Sequence, residues 1–161
     1  MTAHVSPVPA DDPRLRPLLT AYHLRTEEEK GVPVSGPAEL PPAYRAEIEH
    51  PAESFAGATV LLATVPGEAE AAGCAVLRTP AAAPAELKRL WTAPGHRGKG
   101  VGAALMAKAT ALATEAGAPA LRLSVWSWRE PALRLYEREG FCRVPSWEAR
   151  PDLVCLERAL G

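Results

Sequence analysis

Between residues 92 and 103 the chain leaves a strand-like segment and enters a helix through Arg97-Gly98-Lys99-Gly100-Val101-Gly102. On one side, Glu86 to Thr92 alternates, with Leu87, Arg89 and Trp91 assigned to one face and Glu86, Lys88, Leu90 and Thr92 to the other. On the other side, Val101, Leu105, Ala109, Leu112 and Ala116 recur at steps of four and three until Gly117 and Pro119 stop the pattern, which predicts a helix over 99–116. A strand, a tight turn and a long helix in this order leave unpaired amides at the helix start. The helix adds the equivalent of about half a positive charge there. Glycines let an anion approach the backbone closely, and Arg97 and Lys99 add full charges. The feature is an anion site, and its spacing says which kind.

Three phosphate-binding patterns compete. The nucleoside-triphosphate loop requires G-x-x-x-x-G-K-[ST], and no Lys-Ser or Lys-Thr follows a glycine here. The dinucleotide pattern G-x-G-x-x-G belongs to an early strand and needs an acid about 20 residues on. The run here is G-x-G-x-G and comes late. The pattern Arg/Gln-x-x-Gly-x-Gly/Ala is met in full by Arg97, Gly100 and Gly102.

The remaining segments predict an edge strand over Ala3–Val8 and a helix over Arg14–Glu29 with Asp11 and Asp12 as caps. A proline-rich loop over Gly31–Pro42 and a short helix over Pro42–His50 follow, then a hairpin of Gly57–Val65 and Ala71–Thr79 around Pro66-Gly67. After the long helix come a strand over Ala120–Trp126, a helix over Pro131–Glu139 opened by Pro131 and closed by Gly140, and strands near Phe141–Trp147 and Asp152–Arg158.

A chain of 161 residues with 47% hydrophobic and 23% charged residues suits one domain with one core. A net charge of −1 lacks the excess with which nucleic-acid binders track phosphates. Cys74, Cys142 and Cys155 sit in apolar segments without metal or redox spacing, and His4, His23, His50 and His96 are not grouped with other ligands, so no metal is expected. Met1–Asp12 does not read as a signal peptide, and no run is long and apolar enough to span a membrane. A cytoplasmic protein without membrane or nucleic-acid partners is expected.

Three features, in order, resemble the GNAT acyltransferases: the phosphate motif with its preceding strand, the strand Leu121–Trp126, and Ala132-Leu133-Arg134-Leu135-Tyr136-Glu137 running into Gly140-Phe141. The resemblance covers the chain from Gly57 to its end. It implies an α/β (α+β) fold with a single domain over 1–161. The central sheet would be mixed but mostly antiparallel, of six to seven strands flanked by about four helices, with a splayed strand pair at the cofactor site. The implied co-substrate is acetyl-coenzyme A. Leu90, Trp91 and Thr92 would offer backbone groups to its pantetheine arm, and the amide of Trp91 would polarise the thioester carbonyl. The amides from Gly98 through Ala103, hence Gly98, Lys99, Gly100, Val101, Gly102 and Ala103, would receive the pyrophosphate with Arg97 beside them.

Arg129 stands where many family members carry an asparagine that contacts the cofactor; it reaches a phosphate or faces solvent. Tyr136 matches the tyrosine that protonates the departing thiolate, the alternative being a buried aromatic. Glu86 is the leading base for the acceptor ammonium, the alternative being a solvated charge at a strand end. His23 and Glu27 to Glu29 end the first helix where the family lines its acceptor pocket, and Trp126, Ser127 and Trp128 follow the strand beside it. The expected activity is transfer of an acetyl group to a primary amine of a small molecule by direct attack, without a covalent enzyme intermediate. A protein lysine or amino-terminal acetyltransferase and a non-catalytic coenzyme A sensor are the alternatives. The acceptor, the acyl-chain preference and the oligomeric state, including a homodimer, stay open.

Overall fold

In a computed structural model, which describes residues 3–161, seven strands form one sheet in the order β1-β2-β3-β4-β5-β7-β6. In chain order these are β1 (His4–Val8), α1 (Leu15–Glu29), α2 (Pro42–Glu49), a single turn α3 (Pro51–Ser54), β2 (Thr59–Thr64), β3 (Gly73–Arg78), β4 (Ala85–Thr92), α4 (Val101–Glu115), β5 (Ala120–Trp126), α5 (Glu130–Arg138), β6 (Cys142–Val144) and β7 (Leu153–Ala159). Every neighbouring pair is antiparallel except β4 and β5, which run parallel. The expected mixed sheet is present, with five helices where about four were read. The extra one is α3, too short to leave a periodic signal.

Pro7 sits within β1, which is tolerated because β1 is an edge strand with one partner, β2. At the other edge β6 shrinks to three residues; the segment after Val144 leaves the sheet, so the expected strand to Trp147 is not formed. β2 and β3 read as continuous apolar runs because helices cover both their faces. On one side α4 and α5 enclose Leu61, Leu77, Leu105, Met106 and Leu121. On the other, α1 and α2 enclose Leu15, Leu19, Ile48, Val60 and Val76. The sheet is thus the middle of three layers, and what is left open lies at its centre, where β4 and β5 meet.

Candidate active site

β4 and β5 pair only at Ala85 with Leu121 and Glu86 with Arg122, then diverge. The splayed pair expected from the resemblance is therefore present, and it opens toward the carboxyl ends of both strands. β4 is also kinked. Cys74 opposes Trp91 and Val76 opposes Lys88, so Ala75 alone faces both Arg89 and Leu90, a β-bulge. Arg89 takes a φ of +57°, a left-handed conformation that non-glycine residues seldom adopt.

The bulge overturns the strict alternation read from the sequence. Leu87 and Leu90 both pack on the α4 side, whereas Trp91 packs on the α1 side, where Arg89 reaches α2. Glu86 therefore does not share a face with Leu90 and Thr92. The bulge also changes which amides enter the gap. In a trans peptide C=O and N–H point to opposite sides. The Arg89 carbonyl accepts the Cys74 thiol at 3.4 Å, and the Trp91 carbonyl lies against Gly73, so both face β3. The N–H groups of Leu90 and Thr92 consequently point away from β3, into the gap. Trp91, expected to polarise a carbonyl, turns its amide to β3 instead.

The gap runs onto the start of α4. This helix begins at Val101, two residues later than read from the sequence, because Gly98 and Gly100 adopt φ of +76° and +82° and hold the chain in a turn. No side chain caps the helix, and Ala104 is the first residue whose amide is used, by the Gly100 carbonyl. The amides of Val101, Gly102 and Ala103 have no partner within the helix. Gly102 is required for a different reason: a Cβ there would lie 3.1 Å from Leu135 Cδ2, since α5 closes directly on the first turn of α4.

Arg97 lines the groove, its guanidinium 4.6 Å from the Trp91 ring centroid and its Nε donating to the Thr92 carbonyl at 3.1 Å. Lys99 does not line it. Its side chain borders a smaller cavity with Ala3, Val65, Glu68 and His96, because the left-handed glycines on either side turn it across the loop. Lys99 thus places no side chain in the groove.

Tyr136 on α5 also lines the groove, buried and edge-on to Phe141 at 6.0 Å. Burial raises its phenol well above the ordinary tyrosine range, so it stays protonated at neutral pH. Such a group carries a proton it can donate, as a weaker acid than an exposed phenol.

Beyond the bulge the groove, about 790 Å³ in all, continues between α1, α2 and β5. Here the structure assembles a cluster that the sequence reading missed. Glu47 of α2 accepts Arg89 Nε at 2.8 Å and Nη2 at 2.7 Å, and its Oε1 also meets His23 Nε2 at 2.8 Å. Burial alone would raise the Glu47 carboxyl, but hydrogen bonds from Arg89 and His23 outweigh it and hold it at about 2. Burial pushes His23 below its ordinary value, against the pull of Glu47. His23 stacks on Tyr44 at 4.6 Å and meets Tyr22 edge-on at 5.2 Å. Nothing in the spacing joins residues 22, 23, 44, 47 and 89; the one local signal was an arginine between Leu87 and Trp91 at alternate positions.

The opposite wall is built as expected from Trp126 and Trp128, stacked at 4.9 Å, but without Ser127. Residues after β6 roof it: Glu148 accepts the Ser124 hydroxyl at 3.1 Å, and Arg150 donates to Tyr44 at 3.3 Å while lying 5.5 Å over the Trp126 ring.

Two expected site residues line the groove but are held by protein partners. Arg129 neither faces solvent nor projects freely toward the α4 amides. Its Nε donates to Glu29 at 2.9 Å and its Nη2 to Thr26 at 2.7 Å, binding the β5–α5 loop to the end of α1, with Trp128 Nε1 on the same Glu29 oxygen at 2.9 Å. Glu86 lies in the groove but is ion-paired with Lys88 at 3.2 Å and lies 3.7 Å from Arg122 Nε, too far for a hydrogen bond. Among the described residues no His/Cys/Asp/Glu cluster could hold a metal ion, and no helix is long and apolar enough to cross a membrane.

The splayed strands and the uncapped α4 turn define a class of protein that comparison makes specific. The chain belongs to the acetyltransferase (GNAT) family, whose model matches residues 18–141. Over 49 residues it is 51% identical to streptothricin acetyltransferase of Streptomyces lavendulae; the match takes in 30% of this chain and 26% of that protein, so it spans about a quarter of the relative. Among solved structures it resembles nourseothricin acetyltransferase, with 26% identity and a TM-score of 0.57 over 66% of this chain and 67% of that one. The PaiA N-acetyltransferase of Thermoplasma acidophilum, solved with coenzyme A, shares the fold at 17% identity, with a TM-score of 0.74 over 99% of each chain.

Proposed function

We propose that residues 1–161 act as a single cytoplasmic N-acetyltransferase domain that moves an acetyl group from acetyl-coenzyme A to a primary amine of a small molecule. The observation that carries this reading is the gap between β4 and β5, whose Leu90 and Thr92 amides lead onto the free amides of Val101, Gly102 and Ala103. The cofactor's pyrophosphate is assigned to those α4 amides with Arg97, and its pantetheine arm to the backbone of Leu90 and Thr92. The amine nitrogen attacks the acetyl carbonyl, the C–S bond breaks, the thiolate takes a proton from Tyr136, and the proton that the acylated nitrogen sheds restores the Tyr136 phenol through water. The attacking amine must first be neutral, because an ammonium has no lone pair. Its proton is assigned to Glu86 through water, the paired Lys88 and the opposite face of β4 keeping that carboxylate from the Leu90 side.

Support for a small acceptor comes from the contacts of Glu148 with Ser124 and of Arg150 with Tyr44 and Trp126, which narrow the groove at this end. The names of two similar proteins, streptothricin acetyltransferase and nourseothricin acetyltransferase, agree with a small-molecule acceptor.

An amine panel, read by thiol release from acetyl-coenzyme A, tests the reading. Turnover of at least one small amine is expected. Tyr136→Phe should lower kcat by about 10²–10⁴-fold, the usual contribution of a positioned acid, and Glu86→Gln should lower it with a shifted pH profile. Turnover confined to peptide amines moves the function to protein acetylation. Cofactor binding without any turnover, unaffected by Tyr136→Phe, makes the chain a sensor.

A further inference from the structure

The left-handed residue at the bulge is an arginine, and its side chain is held from several sides. A non-glycine residue persists in this conformation only where its surroundings over-determine it. Around Arg89 they do. Glu47 grips the guanidinium at two points, 2.8 and 2.7 Å, and is itself held by His23. The rings of Tyr22 and Tyr44 each lie 5.6 Å from the guanidinium carbon. On the backbone side, burial raises the Cys74 thiol to about 12, so it keeps its proton and donates it to the Arg89 carbonyl at 3.4 Å. Side chain and carbonyl are thus both fixed, and the peptide between Arg89 and Leu90 has one orientation. That orientation sends the Leu90 N–H into the gap.

We propose that Glu47 is a positioning residue: through its ion pair with Arg89 it holds the β4 bulge in the left-handed conformation that aims the Leu90 amide at the acyl carbonyl oxygen. The assignment rests on the acetyltransferase reading above. Negative charge grows on that oxygen as the amine attacks, and a preset backbone donor stabilises it without reorganising. Glu47 touches neither cofactor nor acceptor in this scheme. Its effect passes entirely through the conformation of one residue.

That last point makes the test sharp. Arg89→Gly and Arg89→Val both remove the contacts to Glu47, Tyr22 and Tyr44, but glycine adopts positive φ freely and valine does not. The kinetics should therefore separate the two variants. With an amine turned over by the wild type, Arg89→Gly is expected to keep kcat within about tenfold, whereas Arg89→Val and Glu47→Gln lose about 10²–10³-fold, the usual loss for one such donor, with the KM for acetyl-coenzyme A changed less than about threefold. Glu47→Gln in the Arg89→Gly background should cost nothing more. Equal activity of Arg89→Gly and Arg89→Val, or full kcat in Glu47→Gln, overturns the proposal.

A second measurement needs no acceptor. The ratio of the affinities for acetyl-coenzyme A and coenzyme A reads the bond to the acyl oxygen; it should fall toward one in Arg89→Val and stay at the wild-type value in Arg89→Gly. An unchanged ratio in Arg89→Val also overturns the proposal. Absence of turnover by the wild type with every amine counts instead against the acetyltransferase reading, and the affinity ratio still decides the role of Arg89.

Discussion

Gly100 and Gly102 lie two residues apart and are needed for different reasons. Gly102 has ordinary helical geometry and is glycine because Leu135 occupies the space a side chain would need. Gly100 has open space around it but a φ of +82°, so its constraint is conformational. A β-branched residue is least able to follow, and the strain is about 1–3 kcal/mol. Gly100→Val should therefore shift the loop and misalign the α4 amides. The expected outcome is a lower melting temperature and a coenzyme A affinity reduced at least about tenfold, seen as a smaller thermal shift on adding the cofactor, with tenfold equal to about 1.4 kcal/mol. A cofactor-dependent thermal shift equal to that of the wild type would remove Gly100 from the site.

At the level of elements, Gly73 at the start of β3 shows how closely strand and helix approach behind the gap. A Cβ there would stand 2.7 Å from the Trp91 carbonyl, 2.9 Å from Val101 Cγ1 and 3.1 Å from Leu105 Cδ1. Three elements, β3, β4 and α4, thus meet over one missing side chain. Gly73→Ala must push α4 away from β4, and overpacking of this kind costs about 1–3 kcal/mol. Chemical denaturation should show that loss. Because the displaced turn carries the Val101 amide, cofactor affinity should fall too, although Gly73 itself lines no part of the groove. A variant with wild-type stability would mean that the three elements are less tightly coupled than the structure makes them. The same scale explains Arg129. Tied to Glu29 and Thr26, it fastens the α5 entry loop to α1 and so joins two walls of the groove.

For the whole molecule, the buried cluster at α1, α2 and β4 ties stability to pH. Glu47 has a folded value of about 2 against an ordinary 4.5, so its contribution is fully present above about 4.5 and is lost as pH falls from there toward about 2. The shift corresponds to a loss on the order of 3 kcal/mol. His23, lowered from 6.5 mainly by burial, must be charged on unfolding in mild acid, so its part of the loss starts as pH falls below about 6.5. Unfolding free energies measured in urea across this range should decline in two stages. Glu47→Gln should flatten the stage below pH 4.5, and a variant that keeps the wild-type slope there would exclude Glu47 as its origin.

Most of the proposed cofactor half was legible as structure along the chain because it is local. Strand, glycine turn and helix start are contiguous, and the amides that α4 leaves free follow from the helix geometry of any such sequence. Tyr136 was legible through the motif around it. The cluster behind β4 was not, since residues 22, 23, 44, 47 and 89 come together only when α1 and α2 fold onto one face of the sheet, and no periodicity encodes that meeting. The misassigned faces of β4 have the same origin: alternation is a local rule, and the bulge at Arg89 exists because Glu47, distant in sequence, holds it. Sequence alone determined the strand, glycine turn and helix start to which the pyrophosphate is assigned. Tertiary structure decided which β4 amides face the gap, sent Lys99 away from the groove and bound Arg129 to α1, because each of those outcomes depends on a partner that is far along the chain and close in space.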